Sequence, residues 1–227
     1  MSGAPVITID GPSGSGKGTV SRQVASALGW HLLDSGALYR LTGVAGGRAG
    51  LKPEDEAGHA MVATAMDVRF GMTTLGDTEV LLEGTDVSAE IRTEAAGERA
   101  SRVASFPAVR TALLERQRRF AVPPGLVADG RDMGSVIFPD AGLKIFLTAS
   151  AEERARRRFR QLRAAGVTAE LTTVAAEIAT RDARDCSRAV APLVAAPGAV
   201  TLDSTALEPR EVIERILALA AARGLGR

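Results

Sequence analysis

Glycines crowd one short run of this chain, Gly11-Pro12-Ser13-Gly14-Ser15-Gly16-Lys17-Gly18-Thr19. Before it stands Pro5-Val6-Ile7-Thr8-Ile9-Asp10, short, apolar and β-branched, the pattern of a strand buried on both faces. After it, Val20, Val24, Ala27 and Leu28 fall at helical spacing, so a helix starts near Lys17. Strand, glycine loop and helix in that order give Gly-x-x-x-x-Gly-Lys its meaning as a phosphate-binding loop. Side chains would obstruct a backbone that must turn several N–H groups toward one anion, and glycine removes the obstruction. The helix start adds a partial positive charge and Lys17 a full one. A merely flexible glycine turn is the bland alternative, and the lysine and both flanks argue against it.

One position departs from the common form of this loop. Ser or Thr ordinarily follows the lysine to hold Mg²⁺, whereas Gly18 stands there and Thr19 comes next. This ending resembles the nucleoside monophosphate kinases more than the GTPases or motor ATPases. No direct metal ligand is assigned: Mg²⁺ is expected through phosphates and water, with Thr19 and Asp129 as candidate side chains.

Four more apolar runs read as buried strands: His31–Asp34, Leu126–Asp129, Lys144–Thr148 and Val200–Asp203. Helical patterns alternate with them, closing on Val212, Ile213, Ile216 and Leu217. Ser150-Ala151-Glu152-Glu153 has the form of a capping box. The expected fold is therefore α/β, a five-stranded mostly parallel sheet flanked by helices. In such folds ligands bind beyond the carboxyl ends of the strands, where Asp34, Asp129 and the glycine loop all fall.

Residues 66–92 differ: Asp67–Phe70 and Glu79–Glu83 look like short strands around a turn at Thr74–Asp77, with Thr85–Ser88 as a third. Such a meander reads as an insertion. Helical spacing covers 94–120, and 43–58 carries no clear pattern beyond some helix.

Composition excludes more than it identifies. With 227 residues and 45% hydrophobic content the chain suits one sizeable domain. No apolar run approaches the ~20 residues of a membrane span, and no basic-then-apolar leader precedes the first strand. Cys186 is the one cysteine, so an internal disulfide or a cysteine metal cluster is impossible, and a reducing cytoplasm is expected. A net charge of +1 gives no electrostatic case for a nucleic-acid partner. His31 and His59 are isolated and read as structural or exposed. Arginine outnumbers lysine 25 to 3 beside abundant alanine and glycine, the mark of GC-rich coding, so arginine positions matter more than their number.

Two arginine clusters stand out. From Ser150 to Arg163 a narrow stripe of Ala151, Ala155, Phe159 and Leu162 is surrounded by Arg154, Arg156, Arg157, Arg158, Arg160 and Arg163. Most of these suit a solvated face, but an arginine-rich segment after the fourth strand also suits a lid over ATP phosphates, through some of Arg154, Arg157 and Arg158. Farther on, Arg181, Arg184, Asp185 and Arg188 share one helical face, and Ala179, Ala183, Cys186 and Val190 form a separate stripe able to face the core. That polar face is either an exposed salt-bridged surface or a surface that closes on phosphates and a sugar, for which the planar guanidinium fork is suited.

Taken together, the chain resembles bacterial cytidylate kinase nearly end to end. The likeness is carried by Ile9–Thr19, Leu33–Arg40, Glu90–Arg92, Ala128–Gly134, Lys144–Leu147 and Arg181–Arg188. The resemblance implies a P-loop kinase fold in one kinase domain, 1–227: core 1–35, 102–149 and 167–227, monophosphate-binding region and insert 36–101, and lid 150–166. It further implies ATP at Gly11, Pro12, Ser13, Gly14, Ser15, Gly16, Lys17, Gly18 and Thr19 with Arg154 and Arg157. CMP or dCMP is implied at Ser35, Tyr39, Arg40, Ser101, Arg110, Arg131, Asp132, Arg181, Asp185 and Arg188. Ser101, Arg110 and Asp132 would meet cytosine, Asp185 and Arg188 the ribose, and Arg40, Arg131 and Arg181 the monophosphate. Cytosine offers a donor at N4 and acceptors at N3 and O2, which suits a carboxylate and a guanidinium; uracil reverses two of these groups.

The expected reaction carries the γ-phosphoryl group of ATP to CMP or dCMP. The acceptor oxygen is already an anion, so no general base is assigned; Lys17, Arg131, Arg157, Arg158 and Arg181 are the catalytic candidates. Insert and lid should close only over both substrates, because water competes as nucleophile. A monomer without nucleic-acid or membrane partners is expected. Kinases of UMP, AMP or shikimate are the nearest rivals. A GTPase switch is disfavoured by the lack of any Asn-Lys-x-Asp signature, and a nucleotide-sensing module would bind without turnover.

Overall fold

Val6, Ile7, Thr8, Ile9 and Asp10 are all buried, as a β-branched strand covered on both faces must be. The computed structural model describes residues 3–72, 78–188 and 190–226. In chain order the elements are β1 (Val6–Asp10), α1 (Lys17–Leu28), β2 (His31–Asp34), α2 (Ser35–Arg48), α3 (Glu56–Ala65), β3 (Val68–Met72), β4 (Thr78–Leu82) and β5 (Thr85–Asp86). Then follow α4 (Glu94–Val103), α5 (Pro107–Arg118), β6 (Leu126–Gly130), β7 (Leu143–Thr148), α6 (Ala151–Ala164), α7 (Leu171–Cys186), β8 (Val200–Asp203) and α8 (Pro209–Ala221). A 3-10 turn spans Glu90–Arg92 and a π-type turn spans Met133–Ile137. The chain divides into two compact units, residues 1–34 with 118–227, and residues 35–117.

The first unit is built on a five-stranded parallel sheet in the order β2-β6-β1-β7-β8. The expected fold is borne out. Val20, Val24 and Ala25 of α1, with Val212, Ile213 and Ile216 of α8, cover Ile7, Ile9, Val127, Ile145 and Leu147. Two strands read as buried, His31–Asp34 and Val200–Asp203, are the sheet edges, and each leaves two of its four residues exposed. Their apolar residues were enough to suggest full cover, but an edge strand has one neighbour and less of it is shielded. Ala155 and Leu162 of α6 pack on Val174 and Ile178 of α7. Ser150 caps α6 by accepting the Glu153 amide, but the Glu153 carboxylate turns to Arg157 and Arg160, so only half of the expected capping box forms.

The second unit carries an antiparallel sheet, β3-β4-β5. Val80 and Leu82 are buried while Arg69, on the opposite face of the sheet, is exposed, so the meander packs by one face. The third strand is shorter than Thr85–Ser88, because the Asp86 carboxylate accepts both the amide and the hydroxyl of Ser88 and draws the chain into a turn. The turn expected at Thr74–Asp77 lies outside the described residues. The unpatterned stretch 43–58 contains the second half of α2 and the start of α3. Glycines within α2 are contact surfaces: a Cβ at Gly43 would sit 2.9 Å from Cβ of Arg99, and one at Gly46 would sit 2.6 Å from the His59 ring. His59 itself is structural, buried with Nδ1 2.7 Å from the Asp55 carbonyl. The boundary expected between 101 and 102 falls inside α4, and α5 up to Gln117 belongs with the second unit. Arg116 on the Met66 carbonyl and Arg110 over the Tyr39 ring hold it there.

Candidate active site

The glycine loop joins the end of β1 to the start of α1, as strand and helix patterns required. Gly11 has φ of 150°, and a Cβ there would fall 2.0 Å from the Leu147 carbonyl oxygen of β7, so no side chain fits. Ser15 Oγ and Lys17 Nζ both donate to the Pro12 carbonyl at 3.0 Å, which fixes the curl of the loop. Behind it lies α6. Arg154 donates to the Ser13 carbonyl at 3.1 Å and pairs with Asp182 of α7 at 2.7 Å. Arg157 donates to the Ser15 carbonyl, to Ser204 Oγ and carbonyl, and to Glu153. The crowd of arginines on α6 is thus relieved in part by main-chain oxygens and by acids, not solely by a bound anion. Arg158 reaches Gln161 Oε1 at 3.3 Å.

Carboxylates gather at the ends of the neighbouring strands. Asp34 and Asp129 are register partners, and Asp10 pairs with Gly130. Burial pushes the Asp129 carboxyl up to about 7, with Lys17 opposing and Asp34 adding to the shift. Burial likewise pushes the Lys17 ammonium down to about 7; Arg131 and Arg181 add to this, while Asp129 and Asp10 oppose it. Asp129 Oδ2 lies 3.5 Å from where a Cβ on residue 18 would stand, so glycine leaves the carboxylate beside the head of α1. Thr19, one residue on, is exposed.

Arg131 follows β6, and its Nε donates to Asp185 Oδ2 of α7 at 3.0 Å. Arg188 donates to the other oxygen, Oδ1. Asp185 is only 1% exposed. Burial alone would raise its pKa, but Arg131, Arg188 and Arg181 together hold it below the ordinary carboxylate value. The α7 arginine–aspartate face is thus ion-paired around a buried carboxylate, with Arg181, Arg184 and Arg188 half-buried beside it. The stripe of Ala179, Ala183, Cys186 and Val190 is instead exposed. Val174, Ile178 and Asp185 form the packed side, because two branched residues bury more surface than small alanines and Asp185 is neutralised by guanidinium groups.

In the second unit, Ser35, Tyr39, Ser101 and Arg110 are buried. Arg110 lies over the Tyr39 ring, 5.8 Å from its centroid, and donates to the Ala104 carbonyl. Arg40 donates to the Ile91 carbonyl at 2.7 Å, tying α2 to the Glu90–Arg92 turn. A polar cluster of this kind, inside a small helical unit, is costly unless it serves a ligand or a network.

The family model described as cytidylate kinase matches residues 7–222. The chain belongs to the cytidylate kinase family. A cytidylate kinase from Azotobacter vinelandii is 58% identical over 221 residues, covering 97% of this chain and 96% of that protein. One from Colwellia psychrerythraea is 56% identical over 216 residues, covering 95% and 96%. A solved shikimate kinase from Acinetobacter baumannii, 17% identical with a TM-score of 0.42 over 96% of this chain and 94% of the other, is a distant likeness.

Asp10, Asp182 and Ser204 were assigned no role from sequence, although Asp182, through Arg154, and Ser204 brace the glycine loop and Asp10 holds the turn after β6. Asp10 gave a signal: a carboxylate ending an apolar strand must find donors if buried, and it accepts the amides of Met133 and Gly134. Asp182 and Ser204 gave none, since their partners lie far away in sequence.

Proposed function

We propose that the chain transfers the γ-phosphoryl group of ATP to the phosphate of CMP or dCMP, in line and with no general base. An acceptor phosphate oxygen bonds to the γ-phosphorus as the bond to the β-bridging oxygen breaks, and the electron pair leaves with ADP. The observation that carries this reading is Lys17, buried in the glycine loop with its ammonium donating to the Pro12 carbonyl, where the charges of Arg131 and Arg181 also bear on it. A glycine loop that turns backbone N–H groups and a lysine toward one place takes phosphate anions, and a phosphoryl donor and a phosphoryl acceptor supply them.

In this reading the loop from Gly11 to Thr19 holds the ATP phosphates, with Lys17 on the transferring group. Arg154 and Arg157 shape that loop from behind and serve the ATP side, and Arg158 covers the transferring group. Toward the acceptor phosphate the first unit offers Arg131 and Arg181, and the second unit offers Arg40. Ser35 and Tyr39 line its pocket, and Asp185 and Arg188 meet the ribose. Asp132 accepts from cytosine N4, while Arg110 and Ser101 serve N3 and O2. Alignment and charge neutralisation do the catalytic work.

Mg²⁺ fits these residues. A buried carboxylate pushed up toward 7 beside the loop, at Asp129, is a group that a divalent cation would return to its charged form. Asp129, with Thr19 as the alternative, would hold it through water; bound there it would neutralise phosphate charge. Among the described residues no helix is long and apolar enough to cross a membrane. We take the chain to act as a monomer in the cytoplasm, with small-molecule substrates and no nucleic-acid partner.

The test is one coupled ADP-release assay with ATP-Mg²⁺ and CMP, dCMP, UMP, AMP or shikimate as acceptor. CMP and dCMP should be phosphorylated with the highest kcat/KM. Folded protein that makes no CDP would overturn the assignment.

A further inference from the structure

The acceptor-reading segment after β6 hangs from a carboxylate on another strand. Asp10 ends β1 and is 3% exposed. Its Oδ1 accepts the amide of Met133 and its Oδ2 the amide of Gly134, each at 2.8 Å. These are the first two residues of the π-type turn Met133–Ile137, whose N-terminal cap is Asp132. The same turn is seated on β1 by close approach: a Cβ at Gly134 would come 2.7 Å from Thr8 Oγ1. Asp132 is itself buried, with φ of −145°, so its direction is set by the turn that follows it. A bidentate grip on two successive amides leaves that turn little freedom to shift or rotate, and ionic acceptors bind amides more strongly than neutral ones.

We propose that Asp10 is the positioning residue for acceptor-base selectivity: by gripping the amides of Met133 and Gly134 it fixes the Asp132 carboxylate at the angle that distinguishes cytosine from uracil. Asp10 touches no substrate in this account; it acts through Asp132. The inference rests on the reading that Asp132 meets the base.

Asp10→Asn tests it with least change of shape, since one acceptor oxygen becomes an NH2 group facing an amide N–H. The kcat/KM values for CMP and UMP are measured on the same preparation, so their ratio is independent of the fraction folded. KM for ATP is measured alongside, and Asp132→Asn is run in parallel. The expected result is a CMP/UMP ratio lowered at least tenfold by Asp10→Asn with KM for ATP within about twofold of wild type, in the range expected when a buried polar match is lost. An unchanged ratio, whatever the loss of overall rate, overturns the proposal and leaves Asp10 a structural group. If Asp132→Asn also leaves the ratio unchanged, the base-reading assignment falls with it; if Asp132→Asn lowers the ratio and Asp10→Asn does not, only the Asp10 role falls. A ratio lowered by Asp10→Asn but not by Asp132→Asn also overturns it, because the effect would not run through Asp132.

Discussion

Arg131 and Asp185 are joined at 3.0 Å, Nε to Oδ2, so the end of β6 and the last turn of α7 are held together by one interior ion pair. Arg188 completes the pair on the second oxygen. A carboxylate in this position orders two guanidinium groups before any anion arrives.

Removing Asp185 should therefore leave like charges stranded. Asp185→Ala is expected to lower unfolding free energy by about 3 kcal/mol at pH 7, the cost of breaking a buried pair from one side. The folded pKa is depressed, so the contribution is present above the unfolded pKa and disappears as pH falls through the folded value. Urea unfolding at pH 7 and at pH 3 checks it: the gap between wild type and variant should shrink at the lower pH.

Lys17→Ala should cut kcat about 100-fold or more, at least ~2.7 kcal/mol of transition-state stabilisation, by analogy with loss of an oxyanion donor. A steady-state comparison at saturating ATP and CMP checks this. Turnover near wild type would remove Lys17 from the catalytic set.

Asp132→Asn should erode the preference for cytosine over uracil, because an amide can satisfy O4 of uracil where a carboxylate repels it. The readout is the ratio of kcat/KM for CMP and UMP, expected to fall roughly tenfold or more.

Arg154 and Asp182 form a pair whose arginine also holds the Ser13 carbonyl. Arg154→Ala should destabilise the fold and raise KM for ATP. A double-mutant cycle with Asp182→Ala should give a coupling energy of about 1–3 kcal/mol, measured by chemical unfolding. Additive losses would mean that the pair contributes no more than its separate parts.

Asp10 makes the opposite pH statement from Asp185. Burial, opposed by the Met133 and Gly134 amides, pushes its carboxyl from 3.8 up to about 6. A raised folded pKa gives stability that is present below the unfolded pKa and lost as pH rises through about 6. Between pH 3.5 and 7 wild type should lose about 3 kcal/mol relative to Asp10→Asn, from roughly 1.36 kcal/mol per unit of pKa difference. Parallel unfolding curves across that range decide it.

How far the fold could be read from sequence depends on how local each cause was. The glycine loop, its strand and its helix were legible because Gly11 to Lys17 carries the pattern within one short window. The parallel sheet followed from apolar runs, though the partial exposure of β2 and β8 did not, since edge position is a property of the whole sheet. Helix α2 through Gly43, Gly46 and Gly47 was illegible: glycine reads as a breaker, and only the nearness of Arg99 and His59 makes it necessary. The orientation of α7 misread for a related reason, alanine being apolar by name but costing little when exposed. For the site, residue types were legible and partners were not. Arg154 finds the Ser13 carbonyl 141 positions away, a pairing no spacing rule anticipates.

The outward turn of Cys186 has a practical consequence. It is the chain's one thiol, exposed on α7 and next in sequence to Asp185. A nitroxide or fluorophore coupled there would label wild-type protein at a single known point, with no cysteine to engineer away. Mobility readings from that reporter, taken with and without nucleotides, would follow this helix through a catalytic cycle.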